Sequence, residues 1–198
     1  MMTSWVILGL AILCLLYGVA IYNRLVTLKN RFENAFAQID VQLMRRYELI
    51  PNLVETVKGY LKHERETLEN VTAARNQALS ALKTAAKQPG SVTAIDSLAS
   101  AESTLAGALG ALNIAVEAYP DLKASENVSQ LFEELRTTEN KIAFARQAFN
   151  DGVMNYNTYK QTFPPILLAG MFGHREDAAL LEFTSSKPQL NEAPRVTL

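Results

Sequence analysis

The sequence predicts an all-α protein in which an N-terminal transmembrane helix continues into an antiparallel, up-down-up-down four-helix bundle. An uncharged apolar run, Trp5 to Tyr22, opens the chain. Behind it, apolar residues recur every three or four positions through four long segments, which is the period of a helix face. We divide the chain into a short N-terminus (1–4), the transmembrane helix (5–22), the bundle (23–163) and a C-terminal tail (164–198).

The run from Trp5 to Tyr22 has the length and composition of a membrane anchor. At a rise of about 1.5 Å per residue it covers roughly 27 Å, close to the bilayer hydrocarbon thickness of about 30 Å. Trp5 and Tyr22 stand where interfacial aromatic residues occur. A cleaved signal peptide is the alternative, but residues 1–4 lack its basic region and residues 22–24 lack its small-residue cleavage site.

The charges that flank the anchor predict its orientation. Arg24, Lys29 and Arg31 follow the anchor, whereas no cation precedes it. Short cytoplasmic flanks carry the excess of Lys and Arg in membrane proteins. We therefore expect a single-pass protein with its N-terminus outside and its bundle in the cytoplasm. A bundle on the periplasmic or extracellular side is the alternative.

The first bundle helix is expected to continue the anchor without a break. No Gly or Pro occurs between Val19 and Ile50, so anchor and bundle should be rigidly coupled. Pro51 is expected to end this helix and begin the second, because proline lacks an N–H and disfavours the α conformation of the residue before it. The stripe of this first helix is Leu25, Leu28, Phe32, Phe36, Ile39, Leu43, Tyr47 and Ile50.

Three further stripes predict the remaining helices. They run over Leu53–Leu82, Ile95–Tyr119 and Val128–Tyr156, with breaks at Gln88–Ser91, at Tyr119–Leu122 and at Phe163–Pro165. Short connections favour antiparallel neighbours, and a heptad-like period favours left-handed supercoiling. A long coiled-coil oligomer is the alternative, although the prolines cut the pattern into lengths suited to folding back.

This topology gives the bundle two ends. The connections at Pro51 and at 119–123 should meet at the membrane-distal tip, while the turn at 88–91 and the tail should lie near the bilayer. The apolar tail segment Pro165–Phe172 is too short to span a membrane. It should either cover the end of the bundle or dip into the membrane interface. We favour the first, because no Lys/Arg cluster adjoins the segment.

The sequence contains no pattern typical of an enzyme. Cys14 is the only cysteine and lies in the anchor, so an intramolecular disulfide and a cysteine metal cluster are excluded. His63–Glu64 begins like a zinc-protease helix, but Thr67 replaces the second histidine, and His174 lies in the tail. The net charge of −1 provides no general attraction for nucleic acid. We therefore expect a non-enzymatic protein with no catalytic residues, no cofactor, no metal and no nucleic-acid partner.

Several polar residues interrupt the apolar pattern, and some should lie at helix interfaces. Buried polar groups in bundles can fix helix register through hydrogen bonds. A ligand or metal site of facing carboxylates is the alternative, but the Glu-x-x-His pairs of di-iron bundles are missing. The polar residues are Gln38, Asp40, Arg45, Arg46, Glu55, Glu102, Glu139, Asn140, Arg146 and Asn150.

Two blocks of the sequence resemble the bacterial LemA family. The first is residues 39–60, IDVQLMRRYELIPNLVETVKGY. The second is made up of Tyr119–Asn127, Glu134–Asn140, Ala143–Gln147, Phe149–Asp151 and Tyr156–Asn157. The resemblance covers about residues 6–173 and implies a single-pass protein of the bacterial cytoplasmic (inner) membrane with a helical-bundle domain. It supplies no catalytic residues, and His174 stands where the family often has an aromatic residue.

These observations favour a membrane-anchored scaffold or interaction protein that presents a surface to other proteins or to copies of itself. The alternative is a signal-transmitting or ligand-sensing bundle, in which the continuous helix carries a displacement across the membrane. The candidate partner surface lies at the expected tip and combines the Arg and Tyr typical of binding hot spots. It comprises Arg45, Arg46, Tyr47, Tyr119, Asp121 and Lys123. Alternatively, Arg45 and Arg46 only pair with Glu48, Glu55 or Asp121 to hold the helix ends.

Overall fold

A computed structural model of the chain describes residues 2–61 and 63–183. This part of the chain is helical and contains no strand, which confirms the predicted all-α class. The helices are α1 (Met2–Lys58), α2 (Arg65–Ala85), α3 (Val92–Glu117), α4 (Pro120–Lys123), α5 (Glu126–Gln161) and α6 (Pro165–Ala169).

α1 is one helix of 57 residues, and Pro51 lies inside it. The expected helix end at Pro51 is therefore wrong, since α1 continues to Lys58 and α2 begins at Arg65. A proline at position 51 cannot donate to the carbonyl of Tyr47, four residues earlier. That carbonyl accepts a hydrogen bond from Nε of Arg75 on α2, at 2.9 Å. The neighbouring helix thus supplies the donor that the proline lacks.

The surroundings of α1 change at Ile21. Residues 2–20 are exposed, apart from the half-buried Gly18, whereas Ile21 and the stripe that follows it are buried. By length and composition, α1 is the one helix in the described part of the chain that could cross a membrane. A bare apolar surface of this size indicates association with a membrane.

The apolar stripes form the core. All eight members of the first stripe are at most 4% exposed. α1 packs along α5, α2 packs along α3, and α1 also contacts α2. The predicted breaks after the second, third and fourth stripes all occur, although residues 120–123 form the short helix α4.

Aromatic rings join α1 to α5 at one level of the core. The ring of Phe32 lies 6.1 Å from that of Phe149 and 5.3 Å from that of Tyr156, measured between centroids. Gly152 makes this approach feasible, since a Cβ at that position would lie 3.0 Å from Cβ and 3.2 Å from Cα of Phe32. We call Phe32, Phe149, Gly152 and Tyr156 the aromatic layer.

The described part of the tail, residues 164–183, folds back on the helices. α6 contacts α1 and α5, and Ala169, Ala178 and Leu181 are buried. The backbone N–H of Ala179 donates to the carbonyl of Gly90 at 3.3 Å, so the tail and the turn at 88–91 lie at the same end. Residues 184–198, the remainder of the predicted tail, lie outside the described residues.

Candidate functional site

Two residues of the expected partner surface are buried in the core. Arg46 is 7% exposed and Tyr47 is fully buried. A side chain in this position cannot contact a partner, so the placement of these two residues on a surface is wrong. The cause is the course of α1: because the helix does not end at Pro51, this part of the chain is the middle of a packed helix and not a tip.

The other four residues of that surface remain accessible to different degrees. Arg45 and Lys123 line one open groove of about 640 Å³. Tyr119 is half-buried and packs against the core, and Asp121 is exposed. The remaining walls of the groove come from α5 and from the residue that follows α4, and they are mainly polar: Ala124, Glu126, Ser129, Gln130, Glu133, Glu134, Thr137 and Thr138.

The buried Arg46 and Tyr47 share one carboxylate on α3. Nη2 of Arg46 donates to Oε2 of Glu102, and the hydroxyl of Tyr47 donates to Oε1 of the same residue. Glu102 is 2% exposed. The structure therefore confirms that polar residues within the apolar pattern meet at helix interfaces. We call Arg46, Tyr47, Glu102 and the adjoining Arg75 the polar layer.

Burial sets the electrostatics of the polar layer. Desolvation lowers the pKa of the Arg46 guanidinium, and the neighbouring Tyr47 and Glu139 oppose this shift. Desolvation raises the pKa of the Tyr47 phenol well above its usual range, so the hydroxyl keeps the proton that it donates to Glu102. The partner of Arg46 is therefore Glu102. It is not Glu48, Glu55 or Asp121, the partners considered in the sequence analysis. The arrangement joins α1 to α3, where buried polar groups can fix helix register.

A second set of polar contacts fastens the tail to α5. The side-chain amide of Asn157 donates to the carbonyl of Ala178 at 2.9 Å and accepts from its N–H at 3.0 Å. Asn150 makes the same pair of bonds with Leu181, at 3.2 and 2.9 Å. Seven residues of helix span about 10 Å, as do three residues of extended chain, so the two amides match the spacing of the tail backbone.

The tail also contributes a buried histidine and receives a buried lysine. Nδ1 of His174 lies 2.8 Å from the hydroxyl of Tyr156, and burial lowers the pKa of His174. Lys160 donates to the carbonyl of Glu176 and forms an ion pair with Asp177. Gly173 adopts a positive φ of 83°, which lets the N–H of His174 turn back to the carbonyl of Ala169 at 2.9 Å.

The sequence alone indicates only some of these contacts. The seven-residue spacing of Asn150 and Asn157 places both amides on one helix face, and that spacing is visible in the sequence. No comparable signal marks Arg75, because its partner is a backbone carbonyl of another helix. Among the described residues, no group of three or more His, Cys, Asp or Glu side chains could hold a metal ion.

Comparison with known proteins finds one matching family model and several curated relatives. The LemA family model matches residues 35–198. Protein LemA of Metamycoplasma hominis is 30% identical over 142 residues, which cover 71% of this chain and 60% of that protein. Magnetosome protein MamQ of Magnetospirillum gryphiswaldense is 24% identical over 191 residues, covering 89% of this chain and 68% of MamQ. Magnetosome protein MamQ 1 of Paramagnetospirillum magneticum is similar to the same extent. The chain thus spans about three fifths of the LemA relative.

Proposed function

This chain belongs to the LemA family, and from that premise we propose that it is a non-enzymatic, membrane-anchored scaffold that binds other proteins. One observation carries the proposal: α1 presents a bare apolar surface over residues 2–20, and beyond it the same helix packs against α2, α5 and α6. A protein built in this way keeps a folded domain close to a membrane. The polar residues of its core act in packing and not in catalysis.

We further propose that α1, α2, α3 and α5 form the antiparallel up-down-up-down bundle. Contacts at two levels support this order. At the first level, Phe32 lies beside Gly90, in the turn between α2 and α3, and beside Gly152 of α5. At the second level, Tyr47 contacts Arg75 of α2 and Glu102 of α3, and the adjoining Arg46 interacts electrostatically with Glu139 of α5. Moving from the first level to the second, residue numbers rise on α1 and α3 and fall on α2 and α5. The polar layer is about 22 Å from the aromatic layer along α1, given 15 residues at about 1.5 Å each.

The bundle is proposed to face the cytoplasm of a bacterium, because Arg24, Lys29 and Arg31 follow the apolar part of α1. Cysteine labelling in intact cells tests this orientation. With Cys14 replaced by Ser, a cysteine at the exposed Lys83 of α2 should resist a membrane-impermeant reagent until the cells are opened. Labelling in intact cells would place the bundle outside.

The groove lined by Arg45 and Lys123 is the proposed protein-binding surface. It is open, and it offers both charge signs together with hydroxyl and amide groups, as a polar interface rim does. Such a groove fits a segment of another protein or of a second copy of this chain. Arg45 is exposed and adjoins the buried Arg46 of the polar layer, so its backbone belongs to a packed part of α1.

A photo-crosslinking amino acid at Gln130, inside the groove, tests the scaffold function in membranes. The matched control carries the same group at Lys83, which is also exposed but lies on α2. The proposal predicts discrete protein adducts from position 130 that are absent from position 83, and loss of those adducts when Arg45 is changed to Glu. Equal adduct patterns at both positions, or none at position 130, would contradict it.

A signal-transmitting bundle is the second candidate, and the continuity of α1 favours it. A helix that runs unbroken from the apolar segment into the core can carry a small displacement in either direction. Replacing Asn23 by Pro should kink this junction, at a cost of about 3 kcal/mol or more to the helix. If the variant inserts normally and keeps its crosslinked partners, the chain acts as a tethered scaffold. Loss of partner response despite normal binding would favour signalling.

A further inference from the structure

We propose that the region from Phe163 to Met171 is a second membrane contact, which inserts into the interfacial layer of the bilayer that α1 crosses. This inference rests on the proposed function in one respect, namely that the apolar part of α1 lies in a bilayer. It concerns a second exposed apolar surface, late in the sequence, which the anchor does not explain.

Four large apolar side chains of this region point into solvent. Phe163 is 77% exposed, Ile166 54%, Leu167 65% and Met171 80%. Ile166 and Leu167 lie on α6, whereas Phe163 precedes this helix and Met171 follows it. Other apolar residues of the same segment, such as Ala169 and Phe172, pack on the bundle. The inner contacts therefore hold the outer side chains in place as a patch.

The patch lies at the level where α1 leaves its apolar stretch. The ring of Phe172 stands edge-on to that of Tyr22, with centroids 5.3 Å apart. Tyr22 is the final residue of the apolar run that begins at Trp5. α6 also packs directly against α1. The exposed apolar surface of α1 and the patch thus adjoin each other, as two parts of one membrane-facing surface would.

The charges around the patch suit a bilayer surface. No Asp, Glu, Lys or Arg occurs between residues 163 and 174. Cations lie nearby in space although not in a sequence cluster: Lys29 and Arg175 line one crevice beside the tail, together with Glu176 and Asp177, and the exposed Arg24 follows Tyr22 by two residues. In the proposed contact these cations would meet lipid phosphates, while the patch would enter the acyl boundary by about 5–10 Å.

A bilayer explains the patch better than water does, because apolar side chains clustered on a surface mark a contact with another apolar phase. The contact has a mechanical consequence. One helix leaves a domain free to rotate and tilt, whereas a helix plus an adjoining inserted patch fixes the face that the domain turns to the membrane. Asn150 and Asn157 fasten the chain that follows this region to α5, through Leu181 and Ala178.

Quenching of a fluorophore on single cysteines tests the inference in the full chain, reconstituted in lipid vesicles after Cys14 is replaced by Ser. Cysteines at Leu167 and Met171 report on the patch. The matched control is a cysteine at Phe144, which is 75% exposed on α5 but lies about 25 Å of helix before the end of α5. A cysteine at Leu13 reports on the anchor.

We expect lipid-attached quenchers near the headgroup to quench labels at 167 and 171, and a water-soluble quencher to lose access to them. The label at 144 should show the reverse. The inference fails if the labels at 167 and 171 behave like the label at 144 while the label at 13 is quenched by the lipid-attached quencher. In that case the membrane span of α1 is still supported. If the label at 13 is not quenched by lipid either, the proposed membrane span itself fails. Protection of 167 and 171 from both quenchers would indicate a protein cover and would also overturn the inference.

Discussion

The polar layer and the aromatic layer hold the same helix, α1, by opposite physical means. In the polar layer, Arg46 and Tyr47 converge on one buried carboxylate from α3. In the aromatic layer, Phe32 packs on rings of α5 and against Gly152 without any charge. A buried ion pair adds little net stability but is costly to break, whereas close apolar packing stabilises directly. The comparison suggests that the polar layer fixes register and the aromatic layer supplies stability.

Removing the carboxylate of the polar layer should have the largest effect. Glu102→Ala leaves the guanidinium of Arg46 buried without its partner, and we expect a loss of about 3–5 kcal/mol in the free energy of unfolding. Chemical denaturation in detergent measures it. Glu69→Ala is the control, because it cuts the exposed Arg65–Glu69 pair on α2 and should change stability little. A triple variant with Arg46→Met, Tyr47→Phe and Glu102→Leu should recover most of the loss if the layer serves register. Failure to recover would mean that the layer itself stabilises the fold.

The hydrogen bond from Arg75 to the carbonyl of Tyr47 should matter because of Pro51. Arg75→Ala leaves that carbonyl without its donor, and we expect a cost of about 1–3 kcal/mol. In a Pro51→Ala background the helix regains its own N–H, so the same change should cost clearly less. A double-mutant cycle in detergent measures the difference. Additive effects would show that Arg75 does not compensate for the proline.

Close packing in the aromatic layer can be tested with glycines. Gly152→Ala would place a Cβ 3.0 Å from Phe32, so we expect overpacking to cost about 1–3 kcal/mol. Gly107→Ala on α3 is the control, because a Cβ there meets nothing within 4 Å. That change should stabilise the helix by up to about 1 kcal/mol. Thermal unfolding of both variants measures these effects. If Gly152→Ala leaves the stability unchanged, the close approach of α1 and α5 at this position does not contribute to the stability of the fold.

The smallest expected effect is on pH dependence, at the histidine beside the aromatic layer. Burial lowers the pKa of His174, and the charges of Lys29 and Lys160 act in the same direction. A lowered pKa means that the folded state favours the neutral form of His174. The contribution of His174 to stability is therefore complete above its ordinary pKa of about 6.5, and it is lost as the pH falls below that value. Amide exchange at residues 178–181 should therefore speed up between about pH 7.5 and 5.5, after correction for intrinsic rates. His174→Gln should remove this dependence. An unchanged dependence would show that His174 is not the group responsible.

The stripes were predictable from sequence because burial on a helix follows a fixed period. Every residue of the first stripe is buried, and the turn at Gly90 occurs as expected. The helix end at Pro51 was predicted wrongly because the compensating donor comes from Arg75, far away in sequence. The partner surface partly failed for the same reason. Once α1 continues past Pro51, Arg46 and Tyr47 lie inside the core.

The tail shows a different limit. The apolar composition of residues 163–172 indicates burial somewhere, but it does not distinguish the side that packs on α1 and α5 from the side that stays bare. That distinction depends on where the chain turns after Gln161. The cations that adjoin the patch, Lys29 and Arg175, come from opposite ends of the sequence, so no local cluster reveals them.

The central claim is that one rigid helix joins the bilayer to the bundle, and a distance within α1 tests it most directly. Spin labels on the native Cys14 and on Val41→Cys, both exposed positions, can be placed on the full chain in lipid nanodiscs. An unbroken helix predicts a single narrow distance distribution near 40 Å, from 27 residues at about 1.5 Å each. Asn23→Pro should broaden and shorten it. A broad or clearly shorter distribution in the unaltered chain would contradict the claim and show a hinge between membrane and bundle.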